Sequence, residues 1–390
     1  MTMKENISLR DMTFPKGCPK VEFYKHPEYC ELVVYLFTKC NLRCSFCFQE
    51  HSADLDVDYI KSIPDEAMRL LREDITSQPT IKQVDVRILG GELFSDNIPD
   101  SYFDLYAEMV QEIRRRMREE FPDVLTEFII TTNGVYKNVD RLVKFLEDNN
   151  FKKIISISID FVGRYPNEKV KQRAYDTIKE LASHGYLVRA GIVMTRRNIE
   201  YILNNPDEFI GLMKNYNADQ IVFNFYIPNE GWEDDLPTDG DMWALFKFCI
   251  DNHLFSVSII YYLFESLLRG EFFTKTCECK YIPTIMQEKS TKDCTQTASS
   301  LPRELFYGSF VDEVTEENVS DVKASLGVTK RGCLECVHYE YCPQLCWSLT
   351  TFKHFEAREC PLKVGYKYIK DNTELQMAYN EWKRKHNKFC

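Results

Sequence analysis

The chain has 390 residues, of which 44% are hydrophobic and 13% aromatic, and carries a net charge of −11. This much apolar material excludes a mainly disordered chain, and the acidic balance argues against a protein that coats nucleic acid by neutralising phosphates. No run of about 18 apolar residues exists, and the start, MTMKENISLRDM, lacks the apolar segment of a secretory signal, so neither a membrane span nor export is expected and the cytoplasm is the default compartment.

Residues 11–29 read as a small hairpin, and residues 31–38 (ELVVYLFT) as a first strand of β-branched and aromatic residues. Residues 64–75 read as a helix with Pro64 at an entry position. Residues 83–89 (QVDVRIL) alternate apolar and polar, as a strand does. Across residues 100–121, Phe103, Tyr106, Met109, Val110, Ile113 and Met117 fall at helical spacing. A strand at 127–132 ends on the turn signal Asn133-Gly134. A helix at 141–148, a strand at 153–160 (KIISISID) and a helix at 170–183 closed by His184-Gly185 follow. A strand at 186–195, a helix at 199–216 and a sixth strand at 219–227 complete the series. Six βα steps imply a parallel sheet covered by helices, which suits a partial barrel and a doubly wound sheet alike. Beyond a loop at 231–240, residues 241–270 read as a helical bridge and 363–388 as a terminal helix with a basic end. Between them, residues 271–365 are cysteine-rich and weakly periodic, so metal rather than an apolar core is expected to organise them. No repeat of fixed period and no low-complexity tract is present.

The 15 cysteines are unevenly placed: Cys18, Cys30, Cys40, Cys44 and Cys47, then Cys249, then eight between Cys277 and Cys360, and finally Cys390. In a reducing compartment, clustered cysteines read as metal ligands or catalytic thiols. Cys40, Cys44 and Cys47 lie on one loop after the first strand. Three thiolates there can take three irons of a [4Fe–4S] cube and leave the fourth iron open for a ligand. The alternative is a zinc knuckle that takes His51 as its fourth ligand.

Cys40-Asn-Leu-Arg-Cys44-Ser-Phe-Cys47 resembles the cluster loop of radical S-adenosylmethionine (radical SAM) enzymes. Leu89-Gly90-Gly91-Glu92, one βα step later, is similar to the family's GGE segment, whose backbone and Glu hold the methionine amino group; glycines allow close backbone approach. The resemblance implies further cofactor contacts from Asn133 at the end of the third strand and from Ser158 and Asp160 at the end of the fourth. It also implies a carboxylate contact from Arg173, with Arg164 as its rival, and adenine packing by Phe46. The fold implied is a partial (β/α)6 TIM barrel with its site at the strand C-termini.

The second group, Cys333, Cys336, Cys342, Cys346 and Cys360 with Cys277, Cys279 and Cys294 upstream, resembles the SPASM extension of that family, a domain with two auxiliary [4Fe–4S] clusters. A zinc ribbon does not predict this spacing. By that resemblance Cys333, Cys336, Cys342 and Cys360 hold one cube, and Cys346 joins Cys277, Cys279 and Cys294 on the other. Three clusters with one open iron need eleven thiolates, the number the two groups supply. One departure is Lys289, where the family often has Gly. Cys249 is expected in the core, and Cys18, Cys30 and Cys390 as incidental thiols. The resemblance gives this organisation: residues 1–32 a short extension, 33–240 the barrel, 241–270 a bridge, 271–365 the SPASM domain and 366–390 a terminal helix.

What the resemblance implies is an enzyme that reductively cleaves S-adenosylmethionine to a 5′-deoxyadenosyl radical and oxidatively modifies or cross-links a peptide or protein. A low-potential flavodoxin- or ferredoxin-type donor is expected as partner. With only 32 residues before the barrel, leader recognition is expected to use another surface or a separate partner. Sulfatase activators of the family usually carry Asp after the cysteine matching Cys294; this chain has Thr295, with Asp293 on the other side. Oxidation of a small molecule, formylglycine formation and a non-enzymatic, metal-stabilised binding protein are the alternatives. Candidate substrate groups are Tyr226, Glu230, Trp232 and Asp293.

Overall fold

The computed structural model describes residues 28–47, 49, 51, 53–226, 233–270, 284–286, 290–291, 332–339, 341–343 and 359–386. Six strands alternate with helices: β1 (Tyr29–Tyr35), β2 (Gln83–Leu89), β3 (Leu125–Thr132), β4 (Ile154–Ser158), β5 (Leu187–Met194) and β6 (Gln220–Phe225). The intervening helices are α1 (Val57–Ser77), α2 (Asp100–Glu120), α3 (Val139–Asp148), α4 (Glu168–Ser183), α5 (Arg196–Asn204) and α6 (Pro206–Lys214). All six strands run parallel in the order β6-β5-β4-β3-β2-β1. Two short strands extend the β1 edge: β7 (Thr284–Ile285), parallel to β1, and β8 (Ser290–Thr291), antiparallel to β7. Neither was legible in the weakly periodic segment. The sheet does not close; it is a partial barrel with its helices outside.

Strand periodicity sorts the residues between two faces. Leu32, Val34, Val86, Ile88, Ile155, Ile157, Val188 and Ile192 are buried against the helices. Their neighbours, among them Glu31, Asp85, Arg87, Ser156 and Arg189, turn to the concave face. At the amino ends of the strands these polar residues pair with one another. Arg87 pairs with Glu31, and Lys152 bridges Asp85 at 3.4 Å and Glu127 at 2.6 Å.

Four helical readings change. Helix α1 begins at Val57, where the Asp56 carboxylate accepts from the N–H groups of Asp58 and Tyr59, so Pro64 sits inside the helix rather than at its entry. The helix read across 199–216 is two, because Pro206 cannot donate and starts a new helix at its first turn. The bridge read across 241–270 is α7 (Asp239–Asp251) and α8 (Ser258–Arg269), interrupted where His253 takes φ 56°. The terminal helix is α9 (Pro361–Lys370) and α10 (Thr373–Lys385); Asn372 caps the second by accepting from the Leu375 N–H. Glu265 of α8, 1% exposed, accepts from Tyr379, Lys383 and Arg269, which fastens α10 to α8. Cys249 is fully buried on α7. The hairpin read at 11–29 lies almost wholly outside the described residues.

Candidate active site at the carboxyl ends of the strands

The cysteine loop leaves β1 and is closed at its base. The Thr38 and Lys39 N–H groups donate to the Ala53 carbonyl at 3.1 and 2.8 Å, and the Ala53 N–H donates to Thr38 Oγ1 at 2.9 Å. From that base the loop reaches two neighbouring strand ends, those of β3 and β4. Asn41 donates to the Val135 carbonyl at 2.6 Å, and Asn133 Nδ2 donates to Asn41 Oδ1 at 2.7 Å and lies 3.6 Å from Cys40 Sγ. The Ser45 N–H donates to the Gly163 carbonyl at 2.9 Å. Arg164 lies 3.6 Å from Cys44 Sγ, and its guanidinium stands 5.3 Å from the centre of the Phe46 ring.

The thiols of Cys40, Cys44 and Cys47 are half-buried and feel one another's charge. Burial first, then that mutual repulsion, raises all three above the ordinary thiol range; backbone N–H groups and Arg164 pull the other way. Within the loop, Ser45 Oγ and His51 Nδ1 are buried without a hydrogen-bond partner. Among the described residues no three Cys, His, Asp or Glu side chains converge on one metal ion. A zinc knuckle needs that convergence, whereas a cube takes one thiolate per iron and holds the sulfurs apart. Three thiols on one loop suit the donor chemistry of an iron–sulfur cube.

Beside this loop lies Glu92, 1% exposed. Its carboxylate accepts from Thr132 Oγ1 at 2.9 Å, the Asn133 N–H at 2.6 Å and the Phe94 N–H at 3.0 Å. Burial pushes it up to about 7 against these hydrogen bonds. Among the described residues no cation pairs with it. Gly90 and Gly91 also pack closely against the chain itself. A Cβ on Gly91 would stand 1.8 Å from the Lys39 carbonyl oxygen, and one on Gly90 2.7 Å from that of Phe37. The Gly91 and Glu92 N–H groups donate to those same carbonyls, of Phe37 and Lys39, at 2.8 and 3.0 Å. The glycines dock the β2 turn onto the base of the cysteine loop.

Asp160 is fully buried and accepts from Arg164 at 2.6 Å, the Val193 N–H at 2.8 Å and Asn198 Nδ2 at 2.9 Å. Although burial pulls Arg164 down, the Asp160 carboxylate and Cys44 hold its guanidinium above its ordinary value, so the pair stays ionised. Ser158 ends β4 on the concave face, opposite Gly191 of β5. Arg173 is engaged elsewhere, donating to the Tyr136 carbonyl at 2.6 Å and to Glu180 at 2.7 Å. It is Arg164 that reaches the cysteine loop. Thr132, Asn198, Asn41 and Gly163 were not singled out from sequence; each acts through a partner distant in the chain, which spacing does not reveal. Tyr226 is buried at 1% exposure, while Glu230, Trp232 and Asp293 lie outside the described residues.

Of the second cysteine group, Cys333 and Cys336 close a one-turn 3-10 segment, and Cys360 stands at the N-cap of α9. Cys342 and Cys360 pack against the main core, and Cys336 and Cys342 both bear on Tyr341. Cys277, Cys279, Cys294 and Cys346 lie outside the described residues. Among the described residues no helix is long and apolar enough to cross a membrane.

Comparison with known proteins gives three findings. Residues 34–204 match the model of the Radical SAM superfamily. No curated protein matches the chain. Among solved structures, native anSMEcpe with bound AdoMet and Cp18Cys peptide superposes with a TM-score of 0.56 at 15% identity, covering 91% of this chain and 100% of that one. Streptococcus suis SuiB bound to precursor peptide SuiA gives a TM-score of 0.50 at 16% identity, covering 86% and 76%. At these identities the likeness is one of fold. The matched segment and the partial barrel it forms make residues 34–204 similar to the Radical SAM superfamily.

Proposed function

We propose that the chain uses a [4Fe–4S] cluster held by Cys40, Cys44 and Cys47 and S-adenosylmethionine to modify a peptide or protein substrate oxidatively. When bound, that pair supplies an electron and a 5′-deoxyadenosyl radical that takes a hydrogen atom from the substrate. The protein's part is to bind and orient. Glu92 offers its carboxylate to the methionine amino group. Arg164, fixed by Asp160, meets the cofactor's carboxylate or a cluster thiolate. Phe46 would pack against the adenine, and Asn133, Ser158 and Asp160 would contact the rest of the cofactor, Asp160 by way of Arg164. Arg173 is the remaining candidate for the carboxylate. The observation that carries the reading is a three-thiol loop placed beside a buried carboxylate that has no cation among the described residues.

Two further parts belong to the proposal. Residues 271–365 form a SPASM domain in which Cys333, Cys336, Cys342 and Cys360 hold one auxiliary cluster, and Cys277, Cys279, Cys294 and Cys346 the other. Fully ligated clusters of that kind relay electrons, which suits a net two-electron oxidation. Peptides are bound to both neighbouring structures, which supports a peptide substrate here. A flavodoxin- or ferredoxin-type donor and a separate leader-binding protein complete the set of partners.

Anaerobic reconstitution tests the reading. The expected product is a brown protein that releases 5′-deoxyadenosine when reduced, with iron for three clusters. The combined Cys40→Ala, Cys44→Ala and Cys47→Ala variant should stay soluble, lose one cluster's iron and release none. Continued 5′-deoxyadenosine formation by that variant, or a colourless zinc protein, would refute it.

A further inference from the structure

Arg189 is the third residue of β5, and Val188 and Ala190 on either side of it are fully buried against the helices. Its side chain therefore enters the concave face of the barrel. In the sheet it lies between Ser156 of β4 and Gln220 of β6. Ser158 and Gly191 stand opposite each other two residues further along, roughly 7 Å nearer the strand ends at about 3.3 Å per residue. Arg189 thus sits one layer beneath the strand ends that carry the cysteine loop and the candidate cofactor-binding residues, with the small residues Ser158 and Gly191 in the layer above it.

Its chemistry is unusual for that position. The other cations of the concave face are taken: Arg87 by Glu31, and Lys152 by Asp85 and Glu127. Arg189 forms no ion pair among the described residues, and its Nε is buried with no hydrogen-bond partner. Burial and the nearby Arg87 pull its guanidinium below its ordinary value. A buried donor left unmatched costs stability, and native chains keep one where something else supplies the acceptor. A planar guanidinium fork selects a carboxylate.

From this juxtaposition of a guanidinium without an ion pair among the described residues and the candidate site residues one layer above it, we infer that Arg189 anchors a carboxylate of the substrate. The substrate class is then a peptide with Asp, Glu or a free C-terminus near the carbon that loses its hydrogen. The inference rests on the proposed function only for the word substrate; the anion site itself stands on the geometry.

The probe is a set of acetylated, amidated pentapeptides, Gly-Gly-X-Gly-Gly, with X as Asp, Glu, Asn or Lys, dialysed against the anaerobically reconstituted enzyme with S-adenosylmethionine. Binding of the Asp or Glu peptide should exceed that of the Asn peptide at least about tenfold, as expected of one charge-assisted pair out of water. Arg189→Gln should erase the difference while leaving cofactor affinity unchanged, and Arg189→Lys should keep part of it. Equal binding of the Asp and Asn peptides by the unaltered enzyme overturns the inference, whatever the variants do. So does a preference that survives in Arg189→Gln, or a loss of cofactor affinity there, which would assign Arg189 to S-adenosylmethionine. An acid preference without any 5′-deoxyadenosine would instead sink the proposed function and leave the anion site standing.

Discussion

The two ends of the parallel strands treat buried charge in opposite ways. At the amino ends, Glu31 faces Arg87, and Lys152 serves both Asp85 and Glu127, while Gln83 donates to both of those acids. The charges there are satisfied by the chain itself. At the carboxyl ends Asp160 and Arg164 pair, but among the described residues Glu92 has hydrogen bonds and no cation, and below it Arg189 has no anion. The lower end is finished as folded; the upper end is electrostatically incomplete and waits for a ligand. The difference teaches where to expect stability effects and where to expect binding effects.

The largest stability effect should follow from breaking the lower end. Arg87→Met leaves Glu31 without its partner in a largely buried layer, and a loss of about 3 kcal/mol is expected from denaturant unfolding. Adding Glu31→Leu should recover most of it, because an apolar pair replaces a buried ion pair at little cost. At the upper end the pattern should invert. Glu92→Ala should weaken S-adenosylmethionine binding by about ten- to a hundredfold, measured by equilibrium dialysis, while changing unfolding of the ligand-free protein far less than Arg87→Met does.

A pH series sharpens the same contrast. The Glu92 carboxyl rises from 4.5 to about 7 in the folded chain, so the fold binds its proton more tightly than the unfolded chain does. Its contribution to stability is whole below the ordinary carboxylate range and is lost as pH climbs through about 7. Thermal unfolding of the ligand-free protein should therefore fall between pH 5 and pH 8 by an increment that Glu92→Ala lacks. Cofactor affinity should rise over the same interval as the carboxylate ionises. The smallest effect is expected where charge meets water. Arg69 pairs with Glu66 and Glu73 on the exposed face of α1, and Arg69→Ala should cost less than about 1 kcal/mol.

Much of the barrel could be read from local pattern. The alternation in QVDVRIL marks β2 to the residue, and the apolar spacing of Phe103 to Met117 marks α2. The pattern failed where a break carried no strong signal. His253 leaves helical geometry with neither Pro nor Gly beside it, and periodicity runs straight across it. Pro206 did carry a signal, but the apolar spacing on both sides outweighed it. The cysteine loop was legible because its chemistry is packed into eight residues. Thr132, Asn198 and Gly163 were not, since each matters through a neighbour that only folding supplies. Arg189 hid for a related reason: in a strand that alternates, a polar residue reads as one more outward position, and only the sheet shows that outward here means into the barrel.

The contact at Gly91 has a practical consequence. Because a single added methyl there would run into the Lys39 carbonyl, the thiol-bearing segment and the acid-bearing turn share one volume and form a single jaw. Grafting a foreign metal-binding stretch into positions 40–47 without its matching β2 turn should yield a misaligned mouth. Transplanting both together, with the diglycine intact, is the exchange this architecture can accept.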